Sequence, residues 1–214
     1  MKFITKLKRL SSKERVEYIW DYYRWHILAI IFAVYLLVTM IIHIMEYKES
    51  ILDIVMINSN FQSSEQGEKF DDFLLNYGYD LDEYCVNVNS SVRLGVDIEG
   101  AYASVSLLAA LIDADEADVF FWKDDEFDAY IDDGLLIDLS EFLSQDELEK
   151  YKDDFFYTYS DEQKDTYPCA IILKENHPWI VNYGKYNHCY VGVSCNTKSL
   201  ETARNFIVFL LENN

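Results

Sequence analysis

"ADVFFWKDDEFDAYIDDGLLIDLSEFL", Ala117 to Leu143, decides how this chain is read. It begins with an uninterrupted apolar burst ending at Trp122. It then passes through carboxylates and aromatic rings, and beyond Gly134 reaches a second burst, "LLIDLSEFL". A strand that is apolar at every position, not at alternate ones, is buried on both faces, as happens when helices cover both sides of a sheet. The acids that follow then lie at its carboxyl end and on the next helix. In open α/β sheets that end is where ligands bind.

The segments on either side fit this reading. Upstream, "ILDIVMIN" (Ile51–Asn58) is rich in β-formers and "EYCVNVNS" (Glu83–Ser90) alternates with period two, so both are expected strands. Between them "EQGEKFDDFLLNYG" (Glu65–Gly78) places Phe70, Phe73, Leu74 and Tyr77 at helical spacing before a terminal Gly. "IEGAYASVSLLAALIDA" (Ile98–Ala114) is an expected helix leading into "ADVFFW" (Ala117–Trp122). Downstream, "EFDAYIDDG" and "SQDELEKYKDDF" read as shorter helices. "YPCAIIL" (Tyr167–Leu173) and "CYVGVSC" (Cys189–Cys195) read as strands, and "SLETARNFIVFLLE" (Ser199–Glu212) as a closing amphipathic helix. Strands alternating with helices predict a three-layer α/β domain with a mostly parallel sheet, its first three strands mutually parallel because a helix joins each to the next.

Charge divides the chain. Residues 1–25 carry seven Lys/Arg against three acids, residues 26–45 carry no formal charge, and residues 46–214 carry 11 Lys/Arg against 35 Asp/Glu. The uncharged stretch "WHILAIIFAVYLLVTMIIHIM", Trp25 to Met45, is 21 residues long, enough to span the ~30 Å hydrocarbon core of a bilayer as a helix. Trp20, Tyr22, Tyr23 and Trp25 cluster at its near end as an aromatic belt would. No small-residue cleavage site follows, which predicts an uncleaved signal anchor rather than a signal peptide. The positive flank is N-terminal, so the N-terminus is expected in the cytoplasm and the acidic domain outside the cell. The organisation is then a basic amphipathic cytoplasmic segment (1–24), a transmembrane helix (25–45) and an extracytoplasmic α/β domain (46–214). Ser11 and Glu14 have capping-box spacing at the start of the basic helix. His26 and His43 sit at the edges of the span and are read as neutral interfacial residues. The lipid bilayer is therefore one expected partner. Nucleic acid is excluded as a partner, because a net charge of −20 repels phosphates.

No chemistry declares itself. Cys189 and Cys195 are six apart on one expected strand, ~20 Å at strand rise, and cannot pair with each other. Cys85 or Cys169 could pair with one of them, or all could be free thiols. No zinc-ligand spacing occurs. Ten acids lie within Asp113–Asp133, with Lys123 the only base, but the calcium-loop glycine is missing and a strand runs through the cluster. A solvated acidic face is the expected reading. Acids this numerous make any carboxylate pair uninformative for hydrolysis. Nucleophile elbows, phosphate loops and zinc-protease motifs are lacking. The expectation is a non-enzyme without cofactor.

The strand "ADVFFW", the aromatic helix "EFDAYIDDG" and the run "GLLIDLSEFL", which fits G-x-L-x-D-L-x-x-x-L, together resemble the first lobe of the extracytoplasmic solute-binding proteins that serve ABC transporters. "YPCAIIL" sits where such proteins cross their hinge, and "YVGVSCNTKSLETARNFIVFLLE" resembles the returning strand and helix. The resemblance covers residues 51–173 and 189–214. It departs from the family where the second lobe belongs: only "KENHPWIVNYGKYNH" (Lys174–His188) lies between the hinge strands, too short for a lobe with its own core. The tether, Glu46 to Ser50, reaches at most ~18 Å. What the resemblance implies is a membrane-anchored, non-catalytic binding module for a small solute or a membrane-transport component. The alternative is an interaction or scaffold domain that keeps the lobe's fold without its ligand, with a cryptic hydrolase as the third reading.

If a small solute binds, the carboxyl ends of the first three strands are the expected place. They present Asn58, Ser59 and Asn60, then Asn89 and Ser90, then Trp122 and Asp124. The amides and hydroxyls can donate and accept, Trp122 offers a face for stacking, and Asp124 a charged acceptor. The same residue types are also what ordinary turns and helix caps use.

Overall fold

The structure, a computed structural model, describes residues 12–61, 70–95, 100–123, 127–160, 165–174, 177–178 and 189–214. The expected cap at Ser11, the start of the Glu65–Gly78 helix, Asp124 and most of Lys174–His188 lie outside the described residues. The chain divides into two compact units, one ending at Tyr47 and the other running from Lys48 to Asn214.

Among the described residues the first unit contains one helix, α1 (Ser12–Met45). Neither Gly nor Pro interrupts it, so the ladder of backbone hydrogen bonds closes along its whole length. Its apolar part, Tyr23–Met45, is 23 residues long, and the most apolar 18-residue window within it has a mean hydropathy of 2.8 and is not buried within the protein. At helical rise that is ~35 Å, sufficient to cross a bilayer. It is compatible with a single-pass anchor or a signal sequence. The one aliphatic hydroxyl of this part, Thr39, is satisfied by its own helix, donating to the carbonyls of Tyr35 (3.1 Å) and Leu36 (3.0 Å).

The second unit is a mixed α/β domain. In chain order it comprises β1 (Glu49–Met56), α2 (Asp71–Asn76), β2 (Tyr84–Asn89), α3 (Ala101–Asp113), β3 (Val119–Trp122), α4 (Asp128–Asp132), a 3-10 turn (Leu139–Glu141), α5 (Gln145–Lys150), a second 3-10 turn (Lys152–Asp154), β4 (Phe155–Ser160), β5 (Asp165–Leu173), β6 (Cys189–Val193) and α6 (Leu200–Glu212). The six strands form one sheet in the order β2-β1-β3-β6-β5-β4. β1 runs parallel to both β2 and β3, as expected from their helical connections. The remaining pairs, β3 with β6, β6 with β5 and β5 with β4, are antiparallel. The sheet is thus mixed, not mostly parallel. The reason is connection length: β4 and β5 are joined by residues 161–164 alone, which suits a hairpin and is far too short for a parallel crossover. β4 itself corrects the expected helix through Phe155. Helix α5 stops at Lys150, and the Phe/Tyr-rich "FFYTYS" beyond "KDD" has the composition of a strand.

Two hydrophobic clusters lie on the sheet's opposite faces, and β3 feeds both. Val119 and Phe121 join Leu52, Ile54 and Met56 of β1 in the first, with Phe73 of α2 and Phe206 and Leu210 of α6. Phe120 and Trp122 join Val55 in the second, with Leu108 of α3 and Ile131 of α4. All four β3 side chains are buried, and burying each of its three rings contributes roughly 2–3 kcal/mol. The second burst of the opening stretch follows the far end of β6. Ile137 N–H donates to Val193 O (2.9 Å) and Cys195 N–H to Leu135 O (2.8 Å). Gly192 makes this approach feasible, since a Cβ there would lie 2.8 Å from Leu136 Cδ1.

Two buried polar side chains act as braces. Asp118, 3% exposed, accepts from Asp53 N–H (2.9 Å) and from the Thr197 hydroxyl (2.6 Å), tying β1, β3 and the turn before α6 together. Burial pushes its carboxyl above the ordinary carboxylate range, with the Asp53 carboxylate adding to the rise and the hydrogen bonds opposing it. His177, 1% exposed, places Nε2 3.1 Å from Leu210 O in the last turns of α6, and burial pulls its pKa below 6.5.

The two braces give opposite pH dependences. Asp118 holds its proton more tightly folded than unfolded, so its contribution falls as pH rises from the ordinary carboxylate pKa through the raised value. His177 holds its proton less tightly folded, so stability is lost as pH falls from 6.5 through the lowered value. In urea unfolding of the detergent-solubilised chain followed by tryptophan fluorescence, His177→Gln is expected to flatten the loss between neutral and mildly acidic pH. Asp118→Ala is expected to cost about 2–3 kcal/mol at neutral pH, because two donors lose their acceptor.

Candidate functional site

The chain leaves β1 for β2 on one side and then crosses to β3 on the other. The carboxyl ends of β1 and β3 therefore flank the point where the winding reverses, the position at which open α/β sheets take ligands. Asn58, Ser59, Asn60, Asn89, Ser90 and Trp122 all follow or end the parallel strands at this sheet edge, as expected.

Their side chains are turned to other uses. Asn58 adopts a left-handed backbone with φ 55° and clamps the segment after β2: its Oδ1 accepts from Leu94 N–H (2.8 Å) and its Nδ2 donates to Leu94 O (3.2 Å). Asn58 N–H donates to Val92 O (3.0 Å), so the side chain prolongs a strand-like pairing that the backbone begins. Ser59 is fully buried, and its hydroxyl accepts from Phe61 N–H (3.1 Å). The Ser90 hydroxyl donates to Phe61 O (2.8 Å), which links the loop after β1 to the end of β2. Asn89 Oδ1 accepts from Ser91 N–H (3.0 Å) in a local Asx turn. Asn60 alone of this set is exposed.

Trp122 departs most from expectation. The ring predicted to offer an open stacking face is 2% exposed. Its indole lies 4.9 Å from the Phe127 ring and is stacked 5.7 Å from Tyr190 of β6, in a cluster that Phe127 extends to Tyr130 and Phe120. A flat aromatic side chain at the end of a central strand is a core residue here because β6, on the far side of β3, brings Tyr190 alongside it. Nothing in the local sequence shows that pairing. Asp124 lies outside the described residues.

Other chemistry is sparse. Cys85, Cys169, Cys189 and Cys195 are all free, and burial raises the Cys169 thiol to about 12 and the Cys189 thiol well above its ordinary value, so neither is a thiolate at neutral pH. Among the described residues no three His, Cys, Asp or Glu side chains converge as a metal site.

A feature that the sequence reading passed over lies on the first-cluster face. An open depression of about 680 Å³ is lined by Asp72, Leu75 and Asn76 of α2 and by Phe209, Glu212 and Asn213 at the end of α6. The signal was available as two i, i+3, i+4 triads on separate helices, but only the tertiary contact between α2 and α6 reveals that they face one depression.

Asn58→Ala is expected to destabilise the domain by about 1–3 kcal/mol, through two lost hydrogen bonds and a left-handed backbone that Ala resists. Asn58→Gly, which keeps the backbone conformation, is expected to cost less, and paired urea titrations measure the difference. With this geometry in place the chain was compared with known proteins: no family model, no curated protein and no solved structure matches it.

Proposed function

We propose that this chain is a membrane-anchored, extracytoplasmic, non-catalytic interaction module whose partner is another protein, such as a neighbouring membrane or transport component, rather than a small solute. In this reading α1 is an uncleaved signal anchor, its basic N-terminal flank stays in the cytoplasm and the acidic domain lies outside. The domain is taken as a three-layer unit akin to one lobe of an ABC-type solute-binding protein. Only residues 174–188 lie between β5 and β6, too few for a second lobe with its own core, which favours a reading without hinge closure over a solute.

The observation that carries the choice of partner is the engagement of the strand-end polar groups. Asn58, Ser59, Asn89 and Ser90 hydrogen-bond their own loops, and Trp122 is packed against Phe127 and Tyr190. A solute would have to displace these bonds, leaving buried donors and acceptors unpaired. Charge supports the same reading, since a domain carrying 35 Asp/Glu against 11 Lys/Arg over residues 46–214 steers cationic protein surfaces toward it.

Two measurements test this. Protease added to intact cells is expected to digest residues 46–214 and spare the N-terminal 25, and protection of the acidic domain would reverse the orientation. A thermal-shift screen of the full chain in detergent against sugars, amino acids, short peptides and divalent cations is expected to give no stabilisation by any sugar or amino acid. A sugar or amino acid that raises Tm by several degrees, with the shift abolished by Trp122→Ala, would restore the solute-binding reading.

A further inference from the structure

The depression between α2 and α6 is built with a repeated chemistry. Each helix contributes one apolar side chain, one carboxylate and one amide at i, i+3 and i+4 spacing: Asp72, Leu75 and Asn76 from α2, and Phe209, Glu212 and Asn213 from α6. Leu75 is 60% exposed, although its neighbours Phe73 and Leu74 are buried in the core, so the apolar side of α2 extends past the core into this hollow. Phe209 sits beside it, half-buried, with its ring 5.6 Å from that of Phe73. Leu75 and Phe209 therefore give the hollow an apolar patch, and Phe209 is held in place by its packing on Phe73.

The rim is anionic. Asp72 and Glu212 are exposed, and neither is in an ion pair among the described residues. Lys150 feels the charge of Glu212 without forming an ion pair with it, and the nearby cations have closer partners. Arg204 makes a two-pronged contact with Glu147, Nη2 lying 2.8 Å from Oε1 and 2.7 Å from Oε2, while Lys150 Nζ donates to the Tyr151 hydroxyl (2.6 Å). Glu212 also stands in the last turn of α6, where no basic residue is present. The carbonyl end of a helix favours a cation and disfavours a carboxylate, so a positive group arriving here would meet the rim carboxylates and the helix terminus together.

We infer that this groove docks a cationic amphipathic segment of a partner protein: one aliphatic side chain seated on Leu75 and Phe209, flanked by Lys or Arg reaching Asp72 and Glu212. The inference rests on the interaction-module reading and names its surface. A second copy of this chain is not the occupant, because an approach between two strongly acidic domains would set the rim against like charge. A small neutral solute does not suit the groove either, since the hollow is open and its two exposed carboxylates favour a cation.

The test uses the full chain in nanodiscs of zwitterionic lipid and a fluorescently labelled helical peptide of Leu and Lys in amphipathic order, with anisotropy as the readout. Binding is expected to be saturable and to weaken as salt rises. Asp72→Asn with Glu212→Gln is expected to weaken it at least tenfold, and Leu75→Glu by a similar factor. The equal charge change Asp132→Asn with Asp133→Asn, on α4, is expected to leave affinity within twofold. Asp72, Leu75 and Glu212 are exposed, so these variants keep the core, and an unchanged urea midpoint confirms it. Equal loss in both charge pairs would mean non-specific attraction to an acidic domain and overturn the assignment. So would tight binding of a peptide with Gln in place of Lys, or an unchanged affinity in Leu75→Glu. Those results would remove this groove while leaving the interaction-module reading to its own tests, whereas a sugar or amino acid ligand would remove that reading without bearing on the peptide.

Discussion

The domain depends on β3 being buried on both sides. Four residues, Val119 to Trp122, supply side chains to both hydrophobic clusters, and every one is enclosed. β3 is also where the sheet changes character, pairing parallel with β1 and antiparallel with β6. A polar residue at any of its positions would bury an unpaired group, because all four positions are enclosed. The brace at its start belongs to the same arrangement: Asp118 ties β3 to β1 through Asp53 and to the turn before α6 through Thr197.

That burial explains why the strand ends do not form an open crevice. β6 lies on the opposite side of β3 from β1 and brings Tyr190 against Trp122, while the loop after β1 is closed by Asn58 on Leu94 and by Ser59 and Ser90 around Phe61. The topology presents a switch point, and the packing fills it. Surface chemistry is concentrated instead where two amphipathic helices meet. There α6 spends Phe206, Ile207 and Leu210 on the core and turns Glu212 outward beside Asp72 of α2. The bidentate pair of Arg204 with Glu147 reinforces the same face. Ser144 and Glu147 cap α5 reciprocally, and hydrogen bonds from Ser144 together with Arg204 hold the Glu147 carboxyl below its ordinary pKa despite the opposing effect of partial burial.

Much of this architecture follows from local pattern. The uninterrupted apolar run of α1, the three parallel strands with helices between them, and the amphipathic α6 were legible because each is specified within its own segment, by length, by period or by the absence of breakers. Two features were not. β4 was masked by the helix-capping and acidic residues before it, since the switch from α5 to strand takes place within a few residues and only β5 supplies the partner that makes "FFYTYS" a strand. The direction of β6 depends on which neighbour it joins, and that choice is made by the fit of Gly192 against Leu136 and by pairing with both β3 and β5.

By itself, then, the sequence determined the long apolar helix, the asymmetry of charge around it and the alternation of strands and helices, because these are one-dimensional properties of the chain. Tertiary structure decided what the polar and aromatic side chains do. Asn58, Ser59 and Ser90 have the same donors and acceptors whether they face a solute or a loop, and Trp122 has the same ring whether open or enclosed. Their roles were settled by residues distant in sequence, Leu94, Phe61 and Tyr190, brought near by the sheet. The groove of Asp72, Leu75, Phe209 and Glu212 exists for the same reason: more than 130 residues separate its two halves, and only the packing of α2 and α6 on a common core makes them one surface.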